Sequence, residues 1–165
     1  MRVYVPATLS LLETLVEAGR VGVPPVVAFA VTPGLREWYV DEDLEALEYA
    51  AMLEAARASL RLLDADPATA RRRVVIAADV AESAVRVRDD LDRGVVHLTD
   101  PVAITEVAAV HVDDADAVSV VSRAADAMIA ADLGHAEAQD AVDDAEGFEL
   151  SWYASQELGA LLEPG

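Results

Sequence analysis

The sequence predicts a single α/β domain with about five mostly parallel or mixed strands and helices packed on the sheet. Residues 26–32, 74–78 and 107–112 are short, continuous apolar runs, which are typical of strands buried on both faces of a parallel sheet. Segments with helical periodicity lie between these runs, and alternating strands and helices favour a sheet covered by helices. A chain of 165 residues fits one domain with a full hydrophobic core. The alternative is a two-layer α+β fold.

Local signals define the first strand and the first helix. Residues 2–5 combine β-branched and aromatic side chains, and Pro6 is expected to end this strand. Thr8 is placed to cap a helix over about residues 9–18. After the turn sequence GVPP, the apolar run at 26–32 is expected to form the central strand of the sheet.

The longest helical pattern in the chain runs from Asp41 to Asp64, and we expect Asp41 or Asp43 to cap this helix. At 100° per residue it has two apolar stripes, with charged residues only in the gaps between them. The first stripe contains Tyr49, Met52, Leu53, Ala56, Leu60 and Leu63, and the second contains Leu44, Leu47, Ala51, Ala55, Ala58 and Leu62. The helix should therefore lie between the sheet and a second element, either a C-terminal helix bearing Trp152 or a partner subunit.

The rest of the chain continues the same alternation of strands and helices. We expect a strand at 74–78 ending in Asp79, a hairpin or edge strand between 82 and 98, a strand at 107–112, helices at about 118–131 and 136–145, and a C-terminal helix within 148–162.

Missing residue types narrow the chemistry that is open to the chain. It contains no Cys, Lys or Asn, so all twelve basic residues are Arg. Thiol nucleophiles, thiolate metal sites, Walker A lysines and Schiff-base lysines are excluded. A GC-rich genome produces the same bias, which is the simpler explanation of these absences.

The charge balance bears on the partners of the protein. A net charge of −19 repels phosphate backbones and anionic membranes, so we expect no nucleic acid and no membrane as partners. The N-terminal apolar run contains acidic residues and is followed by no small-residue cleavage site, which predicts a cytoplasmic protein.

Aspartates at predicted strand ends form the strongest candidate for a chemical site. Asp113, Asp114 and Asp116 follow one strand, and Asp79 ends another. The carboxyl ends of parallel strands meet at one edge of a sheet, so these carboxylates could bind Mg²⁺ there and act on a phosphate-containing molecule. The alternative, which we favour about three to one, is that the aspartates near residue 113 cap a helix.

Three further residues are candidate ligand-binding groups at the same edge. Thr8 and Thr32 follow predicted strands, and His111 lies within the strand that leads to the aspartates. A histidine with apolar neighbours is more often a neutral, hydrogen-bonded part of the core than a ligand. No nucleophile elbow, zinc-binding His pair or glycine-rich phosphate loop is present.

Two Trp-Tyr pairs, Trp38-Tyr39 and Trp152-Tyr153, are the candidate interface residues. Most aromatic residues of this kind are part of the core. If either tryptophan is exposed in an apolar patch, an interface in a homodimer or with a partner is the better interpretation.

Several stretches of the chain resemble a family of small acidic actinobacterial proteins of unknown function. They are MRVYVPATL, AVTPGLREWY, LEYAAMLEAARASLRLL, AAVHVDDADA and FELSWYASQEL, which together cover nearly the whole chain. The resemblance implies an actinobacterial source and a stand-alone domain. It transfers no catalytic residue, because the family has no established activity.

The sequence therefore supports two hypotheses on function. The first is a non-catalytic binding or protein-interaction domain, expected to be homodimeric, because catalytic signatures are missing. The second is a Mg²⁺-dependent enzyme that uses Asp79, Asp113, Asp114 and Asp116.

Overall fold

A computed structural model of the chain describes residues 1–39 and 43–163. Within these residues, a seven-stranded sheet has the order β5-β6-β3-β1-β4-β8-β9, and a separate small sheet pairs β2 with β7. The strands are β1 (Arg2–Ala7), β2 (Arg20–Val21), β3 (Val26–Phe29), β4 (Val74–Asp79), β5 (Val85–Val87), β6 (Val95–Leu98), β7 (Val102–Ala103), β8 (Val107–Val112) and β9 (Ser151–Ala154). The helices are α1 (Leu9–Ala18), α2 (Pro33–Trp38), α3 (Leu44–Ala65), α4 (Val118–Asp132), α5 (Ala136–Glu146) and α6 (Leu158–Leu162).

The predicted strand direction is wrong, because the strand pairs among the described residues are all antiparallel. The apolar runs are buried on both faces because helices cover both faces of the sheet, and that pattern carries no information on direction. The α/β class with a mostly parallel sheet is therefore replaced by an α+β class, which was the alternative. The sheet lies between two covering layers rather than in a two-layer arrangement.

Two apolar clusters show how the sheet is covered. On one face, side chains of β1 and β4 such as Val5 and Ile76 pack with Leu12 and Leu15 of α1 and with Leu158 of α6. On the other face the sheet packs against the middle of α3. Successive residues of a strand point to opposite faces, so a continuous apolar run serves both clusters.

Helix α3 is covered on two sides only in its C-terminal half, because Leu44, Tyr49 and Leu53 of the predicted stripes are exposed. Asp43 caps it by accepting a hydrogen bond from the Ala46 N–H at 2.8 Å, whereas Asp41 lies outside the described residues. Its residues Ala51 and Ala55 pack on the sheet. Its second neighbour is the pair α4 and α5, which cover Leu60 and the end of the helix, and not the expected C-terminal helix.

The C-terminal segment differs most from its prediction. Residues 148–162 were expected to form a helix, but Trp152 and Tyr153 lie in β9, which pairs with β8 at the edge of the sheet. Helix is confined to a short stretch after them. Hydrogen bonds to the free edge of β8 outweigh the helical spacing of the apolar residues.

Several local predictions are confirmed. Helices α1, α4 and α5 match the expected ranges within one residue at each end. The hairpin expected between residues 82 and 98 is formed by β5 and β6. No helix within residues 1–39 and 43–163 is long and apolar enough to cross a membrane.

Candidate binding cavity

The large sheet is split between its neighbouring strands β1 and β3. Strand β1 pairs with β4 along its whole length, from Arg2 to Ala7. Its pairing with β3 is confined to one position, Tyr4 opposite Phe29. Pro6, two residues further on, has no N–H to donate to a neighbouring strand. The C-terminal half of β1 and the start of β3 therefore part from each other.

An open cavity of about 600 Å³ lies at this split, and we call it the sheet cleft. Its walls come from β1, β3, α1, the loop between β2 and β3, and the last turn of α3; they include Val5, Pro6, Leu11, Val26, Val27 and Leu62. Val26 and Val27 are adjacent and point to opposite faces of the sheet, yet both line the cleft. The cavity therefore follows the gap between the two strands.

The loop between β2 and β3 closes one end of the cleft through a glycine. Gly22 has a φ of +107°, and a Cβ atom built on it would lie 2.8 Å from Val26 Cγ2. Only glycine allows this loop to approach Val26 so closely in that conformation. Val23 and Val27 line the cleft and are also 87% and 45% exposed, so they mark its mouth.

The lining offers few polar groups. Thr14 donates its hydroxyl to the Ser10 carbonyl oxygen within α1 at 3.3 Å. Arg20 is exposed and takes part in none of the ion pairs found within the described residues. Its guanidinium group is thus free to meet a polar or anionic group of a bound molecule. A cavity of this volume falls in the range of small-molecule sites, about 300–1,000 Å³.

Asp79 is held far from the other three aspartates of the predicted metal site. Because β4 and β8 are antiparallel, Asp113 lies beside Arg73 at the start of β4, whereas Asp79 lies at its end. The separation of six residues along a strand corresponds to about 20 Å. Among the residues that the structure describes, no group of three or more His, Asp or Glu is arranged to hold a metal ion. The four aspartates therefore do not share one site.

Asp113 forms a buried ion pair that was not foreseen. Its carboxylate accepts hydrogen bonds from the Arg73 backbone N–H, Nε and Nη2, each at 2.8 Å. The two side chains are 0% and 2% exposed, and Arg73 also donates to the Phe148 carbonyl oxygen at 2.9 Å. Asp113 thus joins the start of β4 to the end of β8 instead of capping a helix or binding a metal.

The other three aspartates lie at the surface. Asp79 pairs with Arg2 at 2.7 Å, and the hydrogen bond from Arg2 lowers the pKa of Asp79. Asp114 accepts a hydrogen bond from the Ser151 hydroxyl at 2.7 Å and makes no capping hydrogen bond to the short 3-10 turn that follows it. Asp116 lies in that turn and is exposed.

One protein family matches nearly the whole chain. A family model described as a family of unknown function, DUF6912, matches residues 1–162. The chain belongs to this family. No curated protein and no solved structure matches it.

Thr8 and Thr32 are buried helix caps in the DUF6912 chain. Thr8 accepts a hydrogen bond from the Leu11 N–H, and Thr32 accepts one from the Leu35 N–H, each at 3.2 Å. They follow antiparallel strands, so they lie at opposite ends of the sheet. The structure does not bring them to one crevice.

Asp89 is a polar residue of this DUF6912 member that the sequence did not single out. It accepts hydrogen bonds from the Thr32 hydroxyl at 2.6 Å and from the N–H groups of Gly34 and Gly94 at 3.0 Å. Burial raises the pKa of this carboxyl, but the three hydrogen bonds outweigh that effect and lower the pKa below its ordinary value.

The candidate interface residues differ in exposure. Trp38 and Trp152 are each 60% exposed and Tyr39 is 37% exposed, whereas Tyr153 packs against the cluster on the α1 face. The Arg93 guanidinium carbon lies 3.7 Å from the centre of the Trp38 ring. His111 on β8 lies directly opposite Trp152 on β9. Both residues are on the face of the sheet away from the apolar cluster that contains Tyr153. A homodimer interface at these residues stays a prediction.

The sheet cleft of this family member has no direct signal in the sequence. The prediction that Pro6 ends the first strand is wrong, since β1 continues to Ala7 and Pro6 only lacks an N–H to donate to a neighbouring strand. The wall that β3 forms could not be foreseen, since it requires knowing that β3 is the neighbour of β1.

Proposed function

We propose that this DUF6912 protein is a non-catalytic binding domain that holds a small, mainly apolar molecule in the sheet cleft. The observation that carries the proposal is the cavity of about 600 Å³ between the parted strands β1 and β3. Apolar side chains form its walls, and Arg20 stands at its edge. A ligand with an apolar body and one polar or anionic end fits both features.

The residue types in the cleft favour binding over catalysis. The described residues that line it include no Asp, Glu, His, Ser or Tyr. The single hydroxyl, on Thr14, is engaged within its own helix. General acid-base and nucleophilic catalysis need such groups within hydrogen-bond reach of the substrate. A molecule in this cleft would therefore be held without being changed.

The expected affinity is modest. A ligand that buries roughly 250 Å² of apolar surface gains about 6 kcal/mol at 25 cal/mol per Å². A binding free energy of this size corresponds to a dissociation constant of tens of micromolar. The loss of translational and rotational entropy on binding weakens the affinity, and van der Waals contacts with the cleft walls strengthen it. We therefore expect a dissociation constant in the micromolar range.

A fluorescence titration with N-phenyl-1-naphthylamine, a neutral apolar dye, tests the proposal. We expect saturable binding to the wild type. Val27→Trp should raise the dissociation constant about tenfold, because a larger side chain fills the mouth of the cleft. Val87→Trp is the matched control, since Val87 is 47% exposed and lies on the edge strand β5 outside the cleft.

Melting curves establish that both variants are folded. The proposal is overturned if the wild type fails to bind the dye, or if the two variants weaken binding equally.

Three narrower statements stay predictions from the sequence: an actinobacterial source, a cytoplasmic location and a homodimeric state. The Mg²⁺-dependent enzyme is not supported by the positions of Asp79 and Asp113, which lie at opposite ends of β4.

A further inference from the structure

A second candidate site lies on the α3 face of the sheet. Two adjoining recesses of about 250 and 220 Å³ lie beside the first half of α3. Strands β1 and β8 contribute to the first recess, and β8 and β9 contribute to the second. They share Tyr49, Met52 and His111 in their walls, so they form one groove. None of the described residues lines both this groove and the sheet cleft.

Aromatic side chains form much of this surface, which we call the aromatic groove. Tyr4 and Tyr49 line one recess, and Tyr49 and Trp152 line the other. Tyr49 is 49% exposed and Trp152 is 60% exposed, so both rings are open to a ligand. Aromatic faces attract ammonium and guanidinium groups through the ring quadrupole, and Trp does so most strongly.

Four carboxylates line the same groove and no arginine does, among the residues described. Glu45 and Glu48 line the first recess, and Glu146 and Glu149 line the second. Glu146 is paired with Arg57 at 3.1 Å, which leaves three carboxylates without a cation in the recorded ion pairs. Arg2 is the nearest other cation, beside Tyr4 and His111, and it is paired with Asp79 at 2.7 Å. The carboxylates therefore outnumber the cations around this aromatic groove.

The two titratable groups at the base of the groove add no positive charge. Burial, with the charge of Arg2 as a second cause, lowers the pKa of His111 and so favours the neutral form of its ring. Burial and the neighbouring Glu48 carboxylate raise the pKa of Tyr4 to about 12. The protonated Tyr4 hydroxyl donates to Glu48 Oε2 at 3.2 Å and holds that carboxylate beside the aromatic rings.

A second copy of the chain is a poor occupant for this groove. Each copy carries a net charge of −19, and a two-fold contact through the groove would bring the same carboxylates together. Like charges placed opposite each other in an interface destabilise it. The charge and the size of the recesses both fit a small cation better.

We propose that the aromatic groove binds a small organic cation with an ammonium or guanidinium group. The cation would lie against Tyr49 and Trp152, with Glu48 and Glu45 balancing its charge. This site is independent of the apolar ligand proposed for the sheet cleft, so either proposal can fail while the other stands.

Isothermal titration calorimetry tests the proposal with choline and agmatine as the two cations. The neutral isostere of choline, 3,3-dimethyl-1-butanol, is the control ligand. We expect at least one cation to bind and the isostere to give no measurable binding. Trp152→Ala and Glu48→Gln should each weaken cation binding about tenfold, because each removes one of the two attractive contributions.

Trp38→Ala is the matched control variant, because Trp38 has the same 60% exposure and lies outside the groove. Glu48→Gln keeps an acceptor for the Tyr4 hydroxyl, and melting curves verify that each variant is folded. The proposal is overturned if neither cation binds at millimolar concentration, if the isostere binds equally well, or if Trp38→Ala has the same effect as Trp152→Ala. A dimer that is lost in Trp152→Ala would also overturn it, in favour of an interface between copies.

Discussion

Asp79 and Asp113 look alike in sequence, since each stands at the end of an apolar run, but their surroundings differ. The Asp79 side chain is 58% exposed in its pair with Arg2, so solvent weakens that interaction. Asp113 is 0% exposed, and a single arginine, Arg73, satisfies its carboxylate with three hydrogen bonds. Removing one member of a buried pair leaves the other charge without a partner.

We therefore expect Asp113→Asn to lower the free energy of unfolding by about 3–5 kcal/mol. Asp79→Asn should lower it by less than about 1 kcal/mol. Urea unfolding of the two variants measures both values, and added Mg²⁺ should leave the wild-type melting temperature unchanged. Equal effects of the two substitutions, or a clear stabilisation by Mg²⁺, would contradict the structural role assigned to Asp113.

At the level of secondary-structure elements, the sequence predicted those helix and strand positions that are set by residues close together in the chain. Helix α1 follows its Thr8 cap and ends before Gly19, and both signals lie within the segment itself. Strand direction has no local signal, because the run at 74–78 reads the same beside a parallel or an antiparallel neighbour. Trp152 was assigned to a helix because nothing near it in sequence shows that β8 offers a free edge.

The candidate sites likewise combine residues that the sequence identifies with an arrangement that only the tertiary structure determines. Trp152 could be named as a candidate from the sequence, but its exposure and its place near Tyr49 and His111 depend on how α3 crosses the sheet. The pairing of Arg73 with Asp113 depends on the register of β4 against β8, which joins residues 40 positions apart.

Asp89 links two elements, since the loop between β5 and β6 binds the start of α2 through this residue. The pKa of Asp89 is lower in the folded protein than its ordinary value, because three hydrogen bonds stabilise the carboxylate. Its contribution to stability is then present above the unfolded-state pKa, about 4, and is lost as pH falls through the folded-state value.

Asp89→Asn should accordingly destabilise the protein at pH 7, and the difference from the wild type should shrink as pH falls below about 4. Urea unfolding of both proteins at several pH values measures this difference. The amide side chain of the variant cannot titrate, so a difference that stays constant over the whole pH range would show that the carboxylate charge has no part in the link.

On the scale of the whole molecule, the two candidate sites differ in their chemistry. The sheet cleft is apolar, with Arg20 at its edge, and the aromatic groove carries four glutamates. The net charge of −19 strengthens attraction of cations to the groove, and salt should weaken that attraction. Burial of apolar surface in the cleft depends little on the net charge.

The most direct test of the sheet cleft is a methyl NMR titration of the Ile, Leu and Val side chains with 1-octanol. We expect saturable shifts at the methyl groups of Val26, Val27 and Leu11, which line the cleft, and none at Leu53, which lines the aromatic groove. The absence of saturable shifts, or shifts centred on Leu53, would contradict a binding site between β1 and β3.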